Sequence, residues 1–201
     1  MHATLCICDL VPQLRTRSKL AVLVHYREAR KPTNTGQLAA RCVEGSTIEI
    51  IGEAERPLPL VDSGQAILLY PADDAVPITN FADQPVRLIV PDGSWRQASK
   101  MRRRIAGLDA LPCVTIESAV TAYRLRAEPK DGGLATLEAI AAALRVLEGD
   151  RGPEIEAAML AVFRIMVERT LWLRGALRDH EVTGGIPAAA IAHDPRGAHP
   201  R

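Results

Sequence analysis

An acid, a hydroxyl and an indole follow one another in residues 91–95, which read Pro-Asp-Gly-Ser-Trp. The apolar run before them, residues 86–90, predicts a buried strand, and a helical pattern begins at Trp95. Ligands of α/β proteins bind at the carboxyl ends of such strands, so this turn is a candidate pocket. We predict that Asp92 binds a polar hydrogen or an amine there, or acts as a base.

The same turn also has a purely structural interpretation. Ser94 and Gln97 have the spacing of a capping box, in which two side chains satisfy the first N–H groups of a helix. Asp92 is then an ordinary turn residue and Trp95 belongs to the core. On the functional interpretation, the exposed N–H groups at the turn and the helix start attract a carboxylate.

Further polar side chains follow the apolar run at 19–25, which predicts another buried strand. His25 ends this run, Glu28 follows in the loop, and residues 34–36 read Asn-Thr-Gly. A lone histidine in such a place is more often structural than catalytic, and Asn-Thr-Gly is typical of a turn before a helix. Both interpretations remain open for these residues.

Two more motifs lie in the second half of the chain. Arg124 and Arg126 would point to the same side of an extended segment. Two guanidinium groups on one face can clamp a carboxylate or a phosphate, or they are simply surface charges. Glu138 follows Thr136 at a predicted helix start, where the helix dipole favours an acid, and it is also a candidate catalytic carboxylate.

Basic residues concentrate in two segments although the net charge is only +1. This asymmetry favours contact with a polyanion, and a solvated helix face is the alternative. The first segment, at 96–104, contains no acidic residue, and the second, at 15–31, contains only Glu28. The first comprises Arg96, Lys100, Arg102, Arg103 and Arg104, and the second comprises Arg15, Arg17, Lys19, Arg27, Arg30 and Lys31.

Four cysteines are present, and only Cys6 and Cys8 form a closely spaced pair. They supply two of the four ligands that a structural zinc needs. Cys42 and Cys113 lie in apolar surroundings and are interpreted as small buried residues. The pattern is not that of a disulfide framework.

The elements that must position these side chains alternate between strands and helices. Such alternation predicts an α/β fold with an open, mostly parallel sheet and helices on both faces. A Gly-x-Gly-x-x-Gly turn and a Walker A sequence are both absent, which excludes the standard dinucleotide and P-loop sites. The predicted strands are 19–25, 47–51, 65–70, 86–90 and 113–116, and the predicted helices are 36–43, 95–105, 137–147 and one opened by Pro153.

The domain organisation and the compartment follow from composition. We predict an N-terminal segment at 1–18, a catalytic domain at 19–178 and a disordered tail at 179–201, which is rich in Ala, Gly, Pro and His. Residues 71–84 read as a loop or a poor helix. No apolar run approaches the length of a bilayer span, and the N-terminus lacks a secretion signal, so the expectation is a soluble cytoplasmic protein.

Taken together and in this order, the motifs resemble those of the DTW-domain family, the tRNA-uridine aminocarboxypropyltransferases. The D-G-T-W segment that names the family reads Asp-Gly-Ser-Trp at 92–95, and the change from Thr to Ser keeps the hydroxyl. Residues 31–36 resemble a K-P-S-N-T-G stretch, and Tyr70-Pro71 matches a strand that ends at proline. The resemblance extends to the x-x-A-x-K-M pattern at 96–101 and to two landmarks at 122–126 and 136–139.

The resemblance implies a fold similar to the SPOUT-type methyltransferases, with a C-terminal trefoil knot. It implies that S-adenosylmethionine, as co-substrate, gives its 3-amino-3-carboxypropyl group to N3 of a tRNA uridine. The implied catalytic residues are Asp92 and Glu138, and those facing S-adenosylmethionine are Tyr70, Pro71, Pro91, Asp92, Gly93, Ser94, Trp95, Tyr123, Arg124, Arg126 and Thr136. The implied RNA-binding residues are His25, Glu28, Asn34, Thr35, Arg96, Lys100, Arg102 and Arg103.

Zinc is one respect in which the chain departs from the family pattern. The family usually carries a C-x-x-C ahead of its C-x-C, and too few residues precede Cys6 to hold that first pair. Either the natural protein starts upstream of Met1, or this form has lost the metal. The alternative functions are a SPOUT-type RNA methyltransferase, a non-catalytic RNA-binding module and a structural α/β domain without an RNA role.

Overall fold

The computed structural model describes residues 2–52, 65–82, 84–116 and 133–192. In these ranges the predicted strands and helices are confirmed to within two residues, with only the start predicted for the helix that Pro153 opens. The strands are β1 (Lys19–His25), β2 (Thr47–Ile51), β3 (Gln65–Leu69), β4 (Val76–Pro77), β5 (Val86–Asp92) and β6 (Cys113–Thr115). The helices are α1 (Tyr26–Ala29), α2 (Thr35–Cys42), α3 (Trp95–Arg104), α4 (Thr136–Leu147), α5 (Gly152–Leu173) and α6 (Ala188–Ala192).

All six strands form one parallel sheet in the order β2-β1-β5-β3-β6-β4. The later strand β5 therefore lies between β1 and β3. Because the strands are parallel, their carboxyl ends meet along one edge of the sheet. The turns that follow β1, β3, β5 and β6 are brought together at that edge.

Strand β5 is two residues longer than the sequence predicts. The apolar run stops at Val90, but the parallel ladder continues until Pro91 pairs with Leu23 and Asp92 pairs with Val24. Asp92 is thus the last residue of a central strand rather than a turn residue. Its backbone is fixed by the sheet, which orients its side chain.

Helices cover both faces of the sheet, as predicted. Alternate strand residues point to opposite faces, so Val22 and Leu88 pack under α2, α4 and α5, while Leu23 and Ile89 pack under α3. Each fully buried leucine contributes about 1.5–3 kcal/mol through removal of apolar surface from water. None of the helices in the described ranges has both the length and the hydrophobicity of a membrane span.

The prediction of a disordered tail is wrong for residues 179–192. A 3-10 turn at Asp179–Glu181 and helix α6 form there, and Val182 and Ala190 are buried against Leu5 and Trp172. The indole Nε1 of Trp172 also donates a hydrogen bond to Asp179, at 2.7 Å. Composition did not predict this ordered segment, because very few apolar residues are enough to bury one tryptophan. Residues 193–201 lie outside the described residues.

Two short segments also differ from the sequence prediction. Within 71–84, a loop or a poor helix was expected, and the structure has strand β4 followed by a 3-10 turn at Ile78–Phe81. The N-terminal segment contains two 3-10 turns, at Ala3–Leu5 and Cys8–Leu10. It joins the core, since Arg169 of α5 donates hydrogen bonds to the carbonyls of Leu5 and Cys6.

Candidate active site

A cavity of about 590 Å³ opens at the carboxyl edge of the sheet. This volume lies within the range of small-molecule sites in proteins. Its walls come from the ends of β3, β5 and β6 and from the first residues of α2, α3 and α4. The lining includes Asn34, Thr35, Tyr70, Pro71, Pro91, Asp92, Gly93, Ser94, Trp95 and Thr136, all of which the sequence singled out, together with Glu28.

Asp92 is the buried acid of this cavity, with only 5% of its surface exposed. Its Oδ2 accepts a hydrogen bond from Asn34 Nδ2 at 2.6 Å, and its Oδ1 accepts one from the Thr136 hydroxyl at 2.5 Å. These partners lie at the starts of α2 and α4, while Asp92 itself ends β5. Three separate elements therefore hold one carboxylate in a fixed orientation.

Three helices begin at the cavity, and each start is capped by a side chain. Asn34 Oδ1 accepts a hydrogen bond from Gln37 N at 2.7 Å, which caps α2. Ser94 and Gln97 form the predicted capping box at the start of α3. Helix N-termini carry partial positive charge, so the three together offset the charge of Asp92 and favour an anionic group in the cavity.

Gly36, which the sequence places in an Asn-Thr-Gly turn, is a site residue whose role there no motif predicted. It lies in the first turn of α2, where an added Cβ would come within 2.7 Å of Asp92 Cγ. Only glycine lets the helix start approach the carboxylate this closely. The available signal was a glycine inside a helical pattern, which usually has a packing or functional reason.

An aromatic wall forms one side of the cavity. Trp95 is 53% exposed, so the interpretation of this residue as core is wrong. The ring of Tyr70 meets it edge-on, with 6.5 Å between the ring centroids. The guanidinium carbon of Arg102 lies 5.6 Å from the Tyr70 ring centre, and an arginine in this position stabilises the ring. The indole face is thus available for stacking against a bound ring.

The basic residues of α3 divide into two groups. Arg96, Lys100 and Arg103 are exposed, as a surface that contacts a polyanion requires. Arg102 instead packs on Tyr70 and lies 3.5 Å from the carboxylate of Asp74. The structure therefore places Arg102 in the aromatic wall and not on the exposed basic face.

His25 has a structural contact at the end of β1. Its Nδ1 accepts a hydrogen bond from Arg27 N at 3.3 Å, which caps α1, and it lies 3.2 Å from Gln97 Nε2. Burial, reinforced by the charge of Arg27, holds the pKa of His25 below its usual value. A neutral ring accepting at Nδ1 fits both contacts. His25 does not line the cavity, whereas Glu28, which pairs with Lys31 at 2.7 Å, does.

Glu138 is not brought into the cavity. It is buried at the start of α4, where its Oε2 accepts a hydrogen bond from Ala135 N at 2.8 Å. This contact is the capping arrangement that the helix dipole favours. Tyr123, Arg124 and Arg126 lie outside the described residues.

The Cys6 and Cys8 pair lies on the surface of the N-terminal segment, with 3.1 Å between the two Sγ atoms. Among the described residues there is no group of three or more His, Cys, Asp or Glu side chains arranged to hold a metal ion. Two thiols are half of the ligand set that structural zinc requires. The residues of this part of the chain therefore do not complete a zinc site.

Asn34→Asp tests the contact between α2 and Asp92. Aspartate keeps the oxygen that caps α2 but turns a second carboxylate toward Asp92, where the amide donated a hydrogen bond. We expect the free energy of unfolding to fall by about 2 kcal/mol at pH 7, because like charges oppose each other in a buried site. The loss should shrink as the pH falls, since protonation of one carboxyl removes the repulsion.

Urea denaturation at pH 7 and at successively lower pH measures the free energy of unfolding, with Asn34→Ser as the matched variant. Serine caps a helix about as well as asparagine but adds no charge. A variant Asn34→Asp that is as stable as Asn34→Ser at pH 7 contradicts the geometry of this contact.

The family model described as "DTW domain" matches residues 1–171. A relative from Drosophila melanogaster, "tRNA-uridine aminocarboxypropyltransferase 2", is 27% identical over 77% of this chain and 66% of its own length. One from Arabidopsis thaliana, "tRNA-uridine aminocarboxypropyltransferase A", is 27% identical over 81% of this chain and 75% of its own.

A third relative, "tRNA-uridine aminocarboxypropyltransferase 2" from Mus musculus, is 30% identical over 71% of this chain and 53% of its own length. The chain therefore spans between about half and three quarters of the lengths of these relatives. No solved structure gives a significant match to it.

Proposed function

The chain belongs to the DTW-domain family, and from this membership we propose that it is a tRNA-uridine aminocarboxypropyltransferase that uses S-adenosylmethionine. In this reaction the bond between the sulfonium and the methylene of the amino-acid arm breaks. A bond forms between that methylene and N3 of the uridine, the N3 proton passes to the surrounding water, and methylthioadenosine is released. The donor has three carbons on its sulfur, so the enzyme must decide which of them faces the uridine.

The observation that carries the proposal is the buried carboxylate of Asp92 beside three helix N-termini. The amino-acid end of S-adenosylmethionine carries an ammonium and a carboxylate on one carbon. An anion next to several positive helix ends complements that pair of charges. Binding of the amino-acid end fixes the direction of the methylene, and orientation of a reacting group in this way contributes strongly to the rate of transfer.

We assign Asp92 to the ammonium rather than to the N3 proton of the uridine. Both carboxylate oxygens already accept hydrogen bonds, from Asn34 and Thr136. Donors that engage a carboxylate compete with its uptake of a proton, whereas a bound cation adds to its stabilisation. Glu138, the other carboxylate proposed as a base, caps α4 outside the cavity lining. It serves the site by fixing the start of the helix that carries Thr136.

Two features of the surface favour RNA as the acceptor. Trp95 presents an exposed ring at the mouth of the cavity, and aromatic rings commonly stack on the bases or rings of nucleotide ligands. The exposed cations Arg96, Lys100 and Arg103 follow Trp95 within the same helix, α3. Cations near an opening attract phosphates and make binding sensitive to salt.

Trp95 gives a spectroscopic test of ligand binding. The chain has two tryptophans, and Trp172 is fully buried and bonded to Asp179. We expect S-adenosylmethionine to change the tryptophan emission of the wild type, because the donor fills the cavity that Trp95 lines and changes the surroundings of its indole, whose exposed face stays open to the RNA. Trp95→Phe should lose that change and keep its thermal stability, since the exposed ring contributes little to folding. An equal change of emission in Trp95→Phe would contradict this placement of the ligand.

We also infer a SPOUT-like topology with a knot in the C-terminal half. The support is the strand order, in which β5 is inserted between the earlier strands β1 and β3. This order is compatible with a knot, in which a later segment passes through an earlier loop, and it occurs in unknotted sheets as well. An experimental structure that traces 117–132 tests this inference, and an unknotted path would contradict it.

Nucleoside analysis of tRNA tests the proposed function. Unmodified tRNA is incubated with the pure protein and S-adenosylmethionine, digested to nucleosides and analysed by mass spectrometry. The expected product is a uridine that carries the 3-amino-3-carboxypropyl group, with methylthioadenosine as the by-product. A methylated uridine with S-adenosylhomocysteine identifies a methyltransferase, and bound but unmodified tRNA identifies an RNA-binding module.

A further inference from the structure

Arg102 differs from the exposed cations of α3 in what its side chain contacts. Its guanidinium carbon lies 5.6 Å from the centre of the Tyr70 ring, and its Nη2 lies 3.5 Å from Asp74 Oδ1. Asp74 is exposed, and an ion pair with an exposed partner contributes little to stability. The ring of Tyr70 is therefore the principal contact of the Arg102 charge.

Tyr70 connects Arg102 to the active-site cavity. Tyr70 lines this cavity, whereas Arg102 is not part of the lining. The backbone of Tyr70 is fixed at the end of β3, where its N–H donates a hydrogen bond to the carbonyl of Val114 at 3.2 Å. The remaining freedom is rotation of the ring, which Arg102 and the edge-on contact with Trp95 restrict. Arg102 therefore acts on a bound ligand through the ring of Tyr70.

The hydrogen bonding of Arg102 argues against a purely structural role. Its Nε is buried and has no hydrogen-bond partner among the described residues. A buried donor without an acceptor destabilises the folded state, and such a group in a protein calls for an explanation. A methionine of similar length would fill the same space without a buried donor. The contact with a ring of the cavity wall supplies the explanation for an arginine at this position.

We propose that Arg102 is a positioning residue, which holds the ring of Tyr70 in the orientation that packs against the adenine ring of the donor. This inference rests on the proposed function, in which S-adenosylmethionine is the donor. Adenine is a flat aromatic ring, and aromatic rings pack favourably in stacked or edge-on arrangements. Asp92 at the end of β5 then binds the amino-acid end of the donor, and Tyr70 at the end of β3 binds its ring. The exposed ring of Trp95 remains for the RNA.

Arg102→Met tests this proposal. Its melting temperature should stay near that of the wild type, because the substitution removes a buried unpaired donor together with a weak ion pair. Calorimetry should show about tenfold weaker affinity for S-adenosylmethionine, since the cation no longer holds the ring. Methylthioadenosine, which has the ring but lacks the amino-acid arm, should lose affinity by the same factor. Arg102→Lys keeps a cation beside the ring and should restore most of the affinity for both ligands.

A double-mutant cycle with Tyr70→Leu separates positioning from a general structural effect. Arg102→Met should cause no further loss of donor affinity in the Tyr70→Leu background, because Arg102 acts through the ring that is already absent. Arg102→Gln is a second neutral variant and gives the same test if Arg102→Met does not fold. Arg103→Gln is the matched control, since Arg103 is exposed on the same helix. It should keep the donor affinity and make the slope of log tRNA affinity against log salt less steep by roughly 1, whereas Arg102→Met should leave that slope unchanged.

Three results would each overturn the positioning role of Arg102. They are an unchanged affinity of Arg102→Met for S-adenosylmethionine, a loss that methylthioadenosine does not share, and a salt slope that falls as it does in Arg103→Gln. If the variants behave as expected but the wild type forms no aminocarboxypropyl uridine, the positioning role stands and the chemistry is wrong. If the wild type forms that product and Arg102→Met binds both ligands normally, the chemistry stands and the positioning role is wrong. A wild type that does not bind S-adenosylmethionine would overturn both.

Discussion

Asp92→Asn is expected to lower the affinity for S-adenosylmethionine on the order of 100-fold, and kcat/KM by at least as much. The substitution keeps the size of the side chain but removes its charge. A hydrogen bond to a charged group contributes about 1.5–3 kcal/mol, and 1.4 kcal/mol corresponds to a factor of ten. The new amide would also turn a donor toward Asn34 or Thr136, which both donate to Asp92 in the wild type.

Calorimetry with S-adenosylmethionine and the rate of product formation measure this effect. Asp150→Asn is a suitable control, since Asp150 is exposed in a surface turn and loses the same charge. A variant Asp92→Asn with near-normal affinity and turnover means that Asp92 does not hold the ammonium.

Gly36→Ala is expected to lower both stability and activity, although alanine normally favours a helix over glycine. Its Cβ would lie 2.7 Å from Asp92 Cγ and 3.0 Å from Asp92 Oδ1, so the carboxylate or the helix must move. Overpacking of this kind costs about 1–3 kcal/mol in the free energy of unfolding. A displacement near 1 Å at a reacting centre can lower kcat on the order of 100-fold.

A double-mutant cycle with Asp92→Ala isolates this contact. Asp92→Ala removes Cγ and Oδ1 but keeps Cβ, which lies 3.0 Å from the new methyl group, so Gly36→Ala should cost clearly less stability in the Asp92→Ala background than in the wild type. Thermal unfolding of the four proteins gives the coupling energy. If Gly36→Ala stabilises the wild-type background, as helix propensity alone predicts, the close approach of α2 to Asp92 is wrong.

Local patterns in the sequence were sufficient to predict most of the fold. The apolar runs and capping residues predicted eight elements to within two residues at both ends and the start of α5 to within one, and the capping box at Ser94 and Gln97 formed as expected. The exception at β5 is informative. Pro91 and Asp92 are not apolar, and only their pairing with Leu23 and Val24 places them in the strand. That pairing depends on which strand becomes the neighbour of β1, which local patterns do not encode.

The residues that form the site were harder to predict from the sequence than the fold was. Asn34, Asp92 and Thr136 are 58 and 44 residues apart along the chain, and each motif had an ordinary structural explanation. Their order matched a known family, which is how they were identified as a set. The contact at Gly36 and the position of Arg102 against Tyr70 follow from tertiary packing, and no spacing rule predicts them.

The C-terminal segment shows a limit of prediction from amino-acid composition. Residues 179–192 have the composition of a disordered segment, yet Val182 and Ala190 are buried beside Trp172. Composition measures the average tendency to bury apolar surface and not the few residues that meet a partner. For Trp95, core was one of two interpretations, and its exposure at the start of α3 excludes it.

Isotope labelling of the donor tests the central claim most directly, which is that this cavity turns the three-carbon arm of S-adenosylmethionine toward the uridine. Two samples of S-adenosylmethionine are used, one with ¹³C in the amino-acid arm and one with ¹³C in the methyl group, and each is incubated with the protein and unmodified tRNA. The account predicts that only the arm label enters uridine and that the methyl label is recovered in methylthioadenosine. Methyl label in the nucleoside, with the arm label left in S-adenosylhomocysteine, would contradict it.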